Sequence, residues 1–183
     1  MADHRIAVRA FEEEFASLRR VAEKAINQLN SEQLRVSPAP ESNSAAVIMK
    51  HLAGNFRSRF TDLLTSDGEK PWRDRDGEFV DDLPQGDEGR RAILERWDEG
   101  WRCVLDALAL LTDADLGRTV TIRGEPHTVA RALARSLAHA GYHTGQIVSL
   151  ARGLVGPDRW SVISVPRGGS AEHNRRMGYE PGR

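Results

Sequence analysis

One cysteine in 183 residues excludes an internal disulfide and any zinc cluster built on thiolates. There is no surplus of positive charge either. Lys and Arg number 26 against 27 Asp and Glu, a net charge of −1, so the chain lacks the basic excess that a phosphate backbone demands, and no nucleic-acid partner is expected. No apolar run approaches the ~18 residues of a membrane span, so no membrane partner is expected. The stretch MADHRIAVRAFEEEF is charged from residue 3 and lacks the apolar centre of a signal peptide. These absences predict a cytoplasmic globular protein. Its length suggests a single domain over residues 1–183, with a core at about 5–155 and a tail at 156–183.

What the sequence does have is helical periodicity. Val8, Phe11, Phe15, Leu18, Ala22, Ala25 and Leu29 recur at alternating steps of three and four, one apolar stripe of a helix that should end near Asn30. Pro38 and Pro40 make Val36 to Asn43 a loop. Ser44 is placed to cap a second helix, whose apolar side carries Met49, Leu52, Phe56, Phe60 and Leu63 and stops around Thr65. Residues 66–88, rich in Gly, Pro and charge, form a loop long enough to be functional or disordered, and Trp72 and Phe79 suggest that it packs onto the body. A third helix starts near Asp87 on the stripe Leu94, Trp97, Trp101, Val104, Leu108 and Leu111, and turn-forming residues from Thr112 to Asp115 close it. A short strand or hairpin fits Thr119 to Ile122, with a turn at Gly124-Glu125-Pro126. The fourth helix runs from Thr128 on Ala130, Leu133, Leu137, Ala140, Thr144, Ile147, Ala151 and Leu154, and Gly156-Pro157 terminates it. The tail reads as irregular. Four such stripes predict an all-α four-helix bundle.

Two of the six histidines, His139 and His143, lie four apart on the fourth helix, so their rings share a face. His51 sits mid-way along the second helix. Each of the three precedes a stripe residue, Leu52, Ala140 and Thr144, and so occupies the same flank of its stripe. Ligands in bundles come from facing helices, and these three imidazoles make a divalent-metal site with open positions; half-exposed histidines are the plain alternative. Imidazole suits Zn, Ni, Cu and Fe alike, so ligand type does not choose among them; Zn or Ni is the first expectation, with Fe as the alternative. Gln146 follows His143 by three and Asn55 follows His51 by four, so either could orient a ring, although both also suit ordinary polar surface. Tyr142 points about 100° away from His143 on a helix of 3.6 residues per turn.

Other residues carry paired readings. Arg59 is either a clamp for a substrate carboxylate or the partner of Asp62. Lys70, Arg73 and Arg75 beside Trp72 either form a lid for an anion or belong to a solvated loop anchored by the tryptophan. Cys103 reads as an inert thiol, Trp97 and Trp101 as core, and His127 as a turn or capping residue. His4 and His173 carry no spacing signal.

The segment His139-Ala-Gly-Tyr-His143-Thr-Gly-Gln146-Ile147 and the mid-helix histidine of Met49-Lys50-His51-Leu52-Ala53-Gly54-Asn55 resemble the signature of the DinB/YfiT-like superfamily. The loop from Asp67 to Phe79 (DGEKPWRDRDGEF) and the tail from Ser170 to Met177 (SAEHNRRM) resemble a branch known only as a domain of unknown function. The resemblance spans about residues 5–178. It implies an up-down-down-up bundle, a three-histidine metal site on His51, His139 and His143, and a homodimer. Some relatives are metal-dependent transferases or isomerases that use low-molecular-weight thiols such as bacillithiol or mycothiol.

The expected function is therefore that of a metal-dependent enzyme acting on a small-molecule substrate, with low-molecular-weight-thiol S-transfer foremost. Residues 139–150 contain no Asp or Glu, so the sequence offers no general base beside the ligands and favours a nucleophile activated by the metal. The alternatives are a metal-dependent hydrolase, a non-catalytic, stress-associated dimeric metal-binding protein, and a helical interaction module without metal.

Overall fold

The computed structural model describes residues 4–179. Four long helices carry the fold: α1 (Ile6–Ile26), α2 (Ala45–Phe60), α3 (Gly86–Ala109) and α4 (Val129–Val155). A hairpin of β1 (Thr119–Ile122) and β2 (Glu125–Thr128) precedes α4, and a short α5 (Ser170–Arg176) follows it. The ends of the domain predicted from sequence, residues 1–3 and 180–183, lie outside the described residues.

Named contacts fix the helix directions. Arg19 pairs with Asp98 and Arg90 donates to the Leu29 carbonyl, so α3 runs against α1. Lys50 and Arg96 share Asp82, and a Cβ on Gly100 would meet Ala53, so α3 runs alongside α2. His51 meets His143 and His139 while Arg59 and Phe60 share a cavity with Ala132 and Ser136, so α4 runs against α2. The result is the up-down-down-up bundle. Because α2 and α3 are parallel, the chain must return the length of the bundle between them. Residues 61–85 make that crossover, and they pass over the face where α2 meets α4.

The stripes bury as the periodicity requires. Val8, Phe15, Ala22 and Ala25 of α1, Phe56 and Phe60 of α2, Trp97 and Trp101 of α3 and Leu133, Ala140 and Ile147 of α4 all enter one apolar cluster. Edge-to-face aromatic contacts hold its centre, with ring centroids of Phe56 and Trp101 at 4.8 Å and of Phe15 and Phe60 at 5.8 Å. Trp97 and Trp101 are core, as expected. The expected cap also agrees: Ser44 Oγ accepts from Val47 N at 3.2 Å; Thr128, just before α4, caps it in the same way, its Oγ1 accepting from Arg131 N at 3.2 Å.

Several boundaries differ from the sequence reading. The first helix ends at Ile26, before Asn30, although Leu29 stays buried in the following turn. The second ends at Phe60, where Asp62 takes a positive φ of 50°. The hairpin turn falls at Arg123-Gly124, with φ of 57° and 75°, the paired left-handed geometry that matches strand twist. Pro126 therefore belongs to β2, opposite Thr121. His127 is a buried strand residue, neither turn nor cap. The tail is not wholly irregular, since it contains α5. Trp72 does not anchor the crossover: it is 53% exposed, with the Arg57 guanidinium 5.5 Å from its ring centre. Among the described residues no helix is long and apolar enough to cross a membrane.

Candidate metal centre

Where α2 and α4 cross, three imidazoles converge. His51 Nε2 lies 3.2 Å from His139 Nε2, which lies 3.1 Å from His143 Nε2. One ring nitrogen from each lies within 4.8 Å of the other two. The flank positions read from the sequence do face one another.

The far nitrogens decide the tautomers. His51 Nδ1 is 2.9 Å from Glu78 Oε2, and a carboxylate only accepts, so the proton sits on Nδ1. His143 Nδ1–H donates to Gln146 Oε1 at 2.7 Å, and Gln146 Nε2 donates in turn to the Tyr142 hydroxyl at 3.1 Å. Tyr142 thus supports the site through Gln146, a role that its own direction along the helix did not suggest. With both Nδ1 atoms protonated, His51 and His143 turn Nε2 lone pairs inward. A single proton on His139 Nε2 can serve only one of them, so a lone pair faces a lone pair. A cation resolves that arrangement, and three neutral nitrogen donors are the set that open metal sites use. His139 and His143 are held neutral at ordinary pH. Burial, then the neighbouring charges of His143 and His51, lowers His139 to about 3. Burial likewise lowers His143, against the raising effect of its bond to Gln146.

Glu78 was not found by sequence reasoning. It comes from a 3₁₀ turn in the crossover (Gly77–Phe79), 27 residues from His51. The next residue, Phe79, stacks its ring on His51 at 4.6 Å between centroids. Arg73 grips the same carboxylate with two bonds of 2.8 Å and also reaches Glu69. Burial pushes the Glu78 carboxyl up, but the bonds from His51 and Arg73 outweigh it and leave it lowered, hence ionised. Gly54 makes the room: a Cβ there would lie 2.6 Å from the Glu78 carboxyl carbon. Glycine one turn after the helix histidine was the available signal, but it does not say which loop residue fills the space.

The remaining candidates are placed as follows. Asn55 is buried and lines a cavity beside the cluster, yet among the described residues it makes no hydrogen bond to the His51 ring, because Glu78 holds that nitrogen. Arg59 is not the partner of Asp62; it donates to the Gly68 carbonyl at 2.5 Å and pairs with Glu69 at 3.2 Å. Lys70 is buried; its Nζ donates to the Asp67 carbonyl within the crossover and its backbone N–H donates to Ser58 Oγ of α2 at 3.1 Å, so it is tied to the body and is no part of a solvated loop. Cys103 is half-buried and its thiol is pushed up by burial, which leaves it un-ionised. The cavity measures about 200 Å³ and opens against His51 and His139.

The chain belongs to the family described as protein of unknown function (DUF1572), whose model matches residues 5–169. No curated protein matches it. Among solved structures it is similar to a DinB-like protein from Bacillus cereus ATCC 10987, determined at 2.01 Å resolution. The TM-score is 0.62 at 19% identity, covering 88% of this chain and 99% of the other. That likeness is one of fold.

Proposed function

We propose that His51, His139 and His143 hold a divalent transition metal, Zn or Ni first and Fe as the alternative, and that the protein is a metal-dependent enzyme acting on a small-molecule thiol. One observation carries the reading: three Nε2 atoms converge while the opposite nitrogens of His51 and His143 are committed to Glu78 and Gln146. A divalent ion held by such donors lowers the pKa of a thiol or water that reaches it, and so supplies a nucleophile at neutral pH.

The protein's own groups do the positioning. Glu78 keeps the proton on His51 Nδ1, and its charge is balanced by Arg73. Gln146 fixes the tautomer of His143. Phe79 covers one face of the His51 ring and keeps water from it. Asn55 and Ser136 line the adjoining cavity and offer hydrogen-bonding groups to a bound molecule. That cavity favours an open, reactive site over one closed by protein ligands. In this reading the protein works in the cytoplasm as a homodimer, and its chemistry is thiol S-transfer.

Elemental analysis of untagged protein tests the proposal, with wild type beside His139→Ala and His143→Ala. The expected result is about one equivalent of transition metal per chain, lost in both variants. Wild-type protein that is metal-free and takes up neither Zn nor Ni on titration would overturn it.

A further inference from the structure

The cavity beside the histidines has a one-signed wall. Arg59 of α2, Arg73 and Arg75 of the crossover, Arg123 of the hairpin turn and Arg135 of α4 all line it, and no acidic residue does among the described residues. A chain with a net charge of −1 does not produce such a concentration by composition alone.

The five are not equivalent. Arg73 is spent on Glu78 and Glu69, and Arg59 on the Gly68 carbonyl and Glu69. Arg123 reaches the same Glu69 at 3.2 Å, so one carboxylate answers three guanidinium groups. Arg75 has its nearest carboxylate, that of the fully exposed Asp76, at 3.7 Å, and lies over the Phe79 ring at 5.4 Å. Arg135 makes no hydrogen bond or ion pair among the described residues. It stands one turn before His139 and so on the same face of α4. Arg59 and Arg73 thus build the site, while at its mouth Arg135 is unanswered, Arg75 meets one distant exposed carboxylate, and Arg123 shares a single carboxylate with two other guanidinium groups.

We propose that this cavity seats an oxyanion, a carboxylate or phosphate group, of the small molecule that reacts at the histidine cluster, with Arg135, Arg75 and Arg123 as its partners. The inference rests on the metal-centre reading and adds the charge class of the substrate. Guanidinium forks match both oxyanions and bind them with charge-assisted bonds. A space of about 200 Å³ lies below the ~300–1,000 Å³ of usual ligand pockets, so the molecule is a short, compact acid. Its anionic end lies among the arginines and its other end meets His51 and His139.

Cobalt(II)-loaded protein offers the test, because thiolate ligation gives a charge-transfer band. The probes are 3-mercaptopropionate and its neutral counterpart 3-mercapto-1-propanol. The acid should bind at least about tenfold tighter, the difference one charge-assisted pair makes. In Arg75→Gln/Arg135→Gln the preference should vanish, with cobalt uptake and mercaptopropanol affinity unchanged. Displacement by propionate or by methylphosphonate then tells a carboxylate from a phosphate. Equal binding of the two thiols to wild type overturns the inference and leaves the metal reading standing. Calorimetry on metal-free protein keeps the two separable. Propionate or methylphosphonate should bind wild type and not the double variant, and binding of neither overturns the anion site whether or not cobalt is taken up.

Discussion

Glu78 reaches His51 across 27 residues of chain and accepts its Nδ1–H at 2.9 Å, in a place that Gly54 leaves empty. Neither residue is on the helix that supplies the other two histidines. The bond joins the crossover to the crossing of α2 and α4, so the path of a loop fixes the orientation of a ring.

If that bond orients a ligand, Glu78→Ala should weaken metal binding by about 10–100-fold, the usual effect of removing such a partner. Gln146→Ala should have the smaller effect, because a neutral amide holds His143 where an ionised carboxylate holds His51. Titration against a competing chelator measures both. Equal metal affinity in wild type and Glu78→Ala would make the bond a packing contact only.

Two glycines separate site from scaffold. In Gly54→Ala the new methyl displaces the Glu78 carboxylate, the movable end of a side chain, so the loss should appear in metal affinity. In Gly100→Ala the methyl would lie 2.6 Å from the Ala53 Cα, where backbone must shift, so the loss should appear in stability, at about 1–3 kcal/mol. Urea unfolding and chelator titration on both variants check the contrast. The reverse pattern would misplace Glu78.

Much of this was legible in the sequence because it is local. Alternating steps of three and four fixed the helices, and the flank shared by His51, His139 and His143 anticipated their meeting. Gln146 was legible for the same reason, being one turn from His143. The partner of His51 was not. Asn55 was the local candidate, but the position belongs to Glu78, which only the return path of parallel α2 and α3 brings into range. Trp72 misled for a related reason. An aromatic in a loop suggests an anchor, and Phe79 is one, but Trp72 is not: the crossover is held by Glu78 on His51, by the Lys70 backbone N–H on Ser58 Oγ and by Phe79 on the His51 ring, with Arg73 bracing Glu78 from within the loop. The tail helix was hidden by its Gly- and Pro-rich surroundings.

Asp67 ties that crossover to the hairpin and should make the tie acid-sensitive. Its carboxylate accepts from the backbone N–H of Glu69, Arg123 and Gly124 at 2.7–2.8 Å. These bonds, that of Glu69 first, hold its carboxyl well below the usual carboxylate range. A depressed folded pKa means the unfolded chain binds the proton first. The stabilisation is therefore complete above the unfolded value near 4 and lost as pH falls below it. Asp67→Asn should flatten the stability–pH curve below about pH 4 relative to wild type, since the ionisable group is gone. Parallel curves would show that Asp67 does not couple the two segments.

Metal removal separates an enzyme centre from a structural one. The apolar cluster draws on all four helices and includes none of the three histidines. The bundle should therefore stay folded without metal, with its helical circular dichroism intact after chelation. Binding still stabilises by linkage, by about 4 kcal/mol when free metal is 1,000 times its dissociation constant, so the midpoint of thermal unfolding should rise on reloading. A structural zinc site behaves otherwise, because there the binding energy is the folding energy. Loss of helix on chelation would move the centre into that class and leave a non-catalytic metal-binding protein as the better reading. A folded apo bundle whose midpoint rises with metal keeps the open site, with its cavity against His51 and His139 free for a substrate.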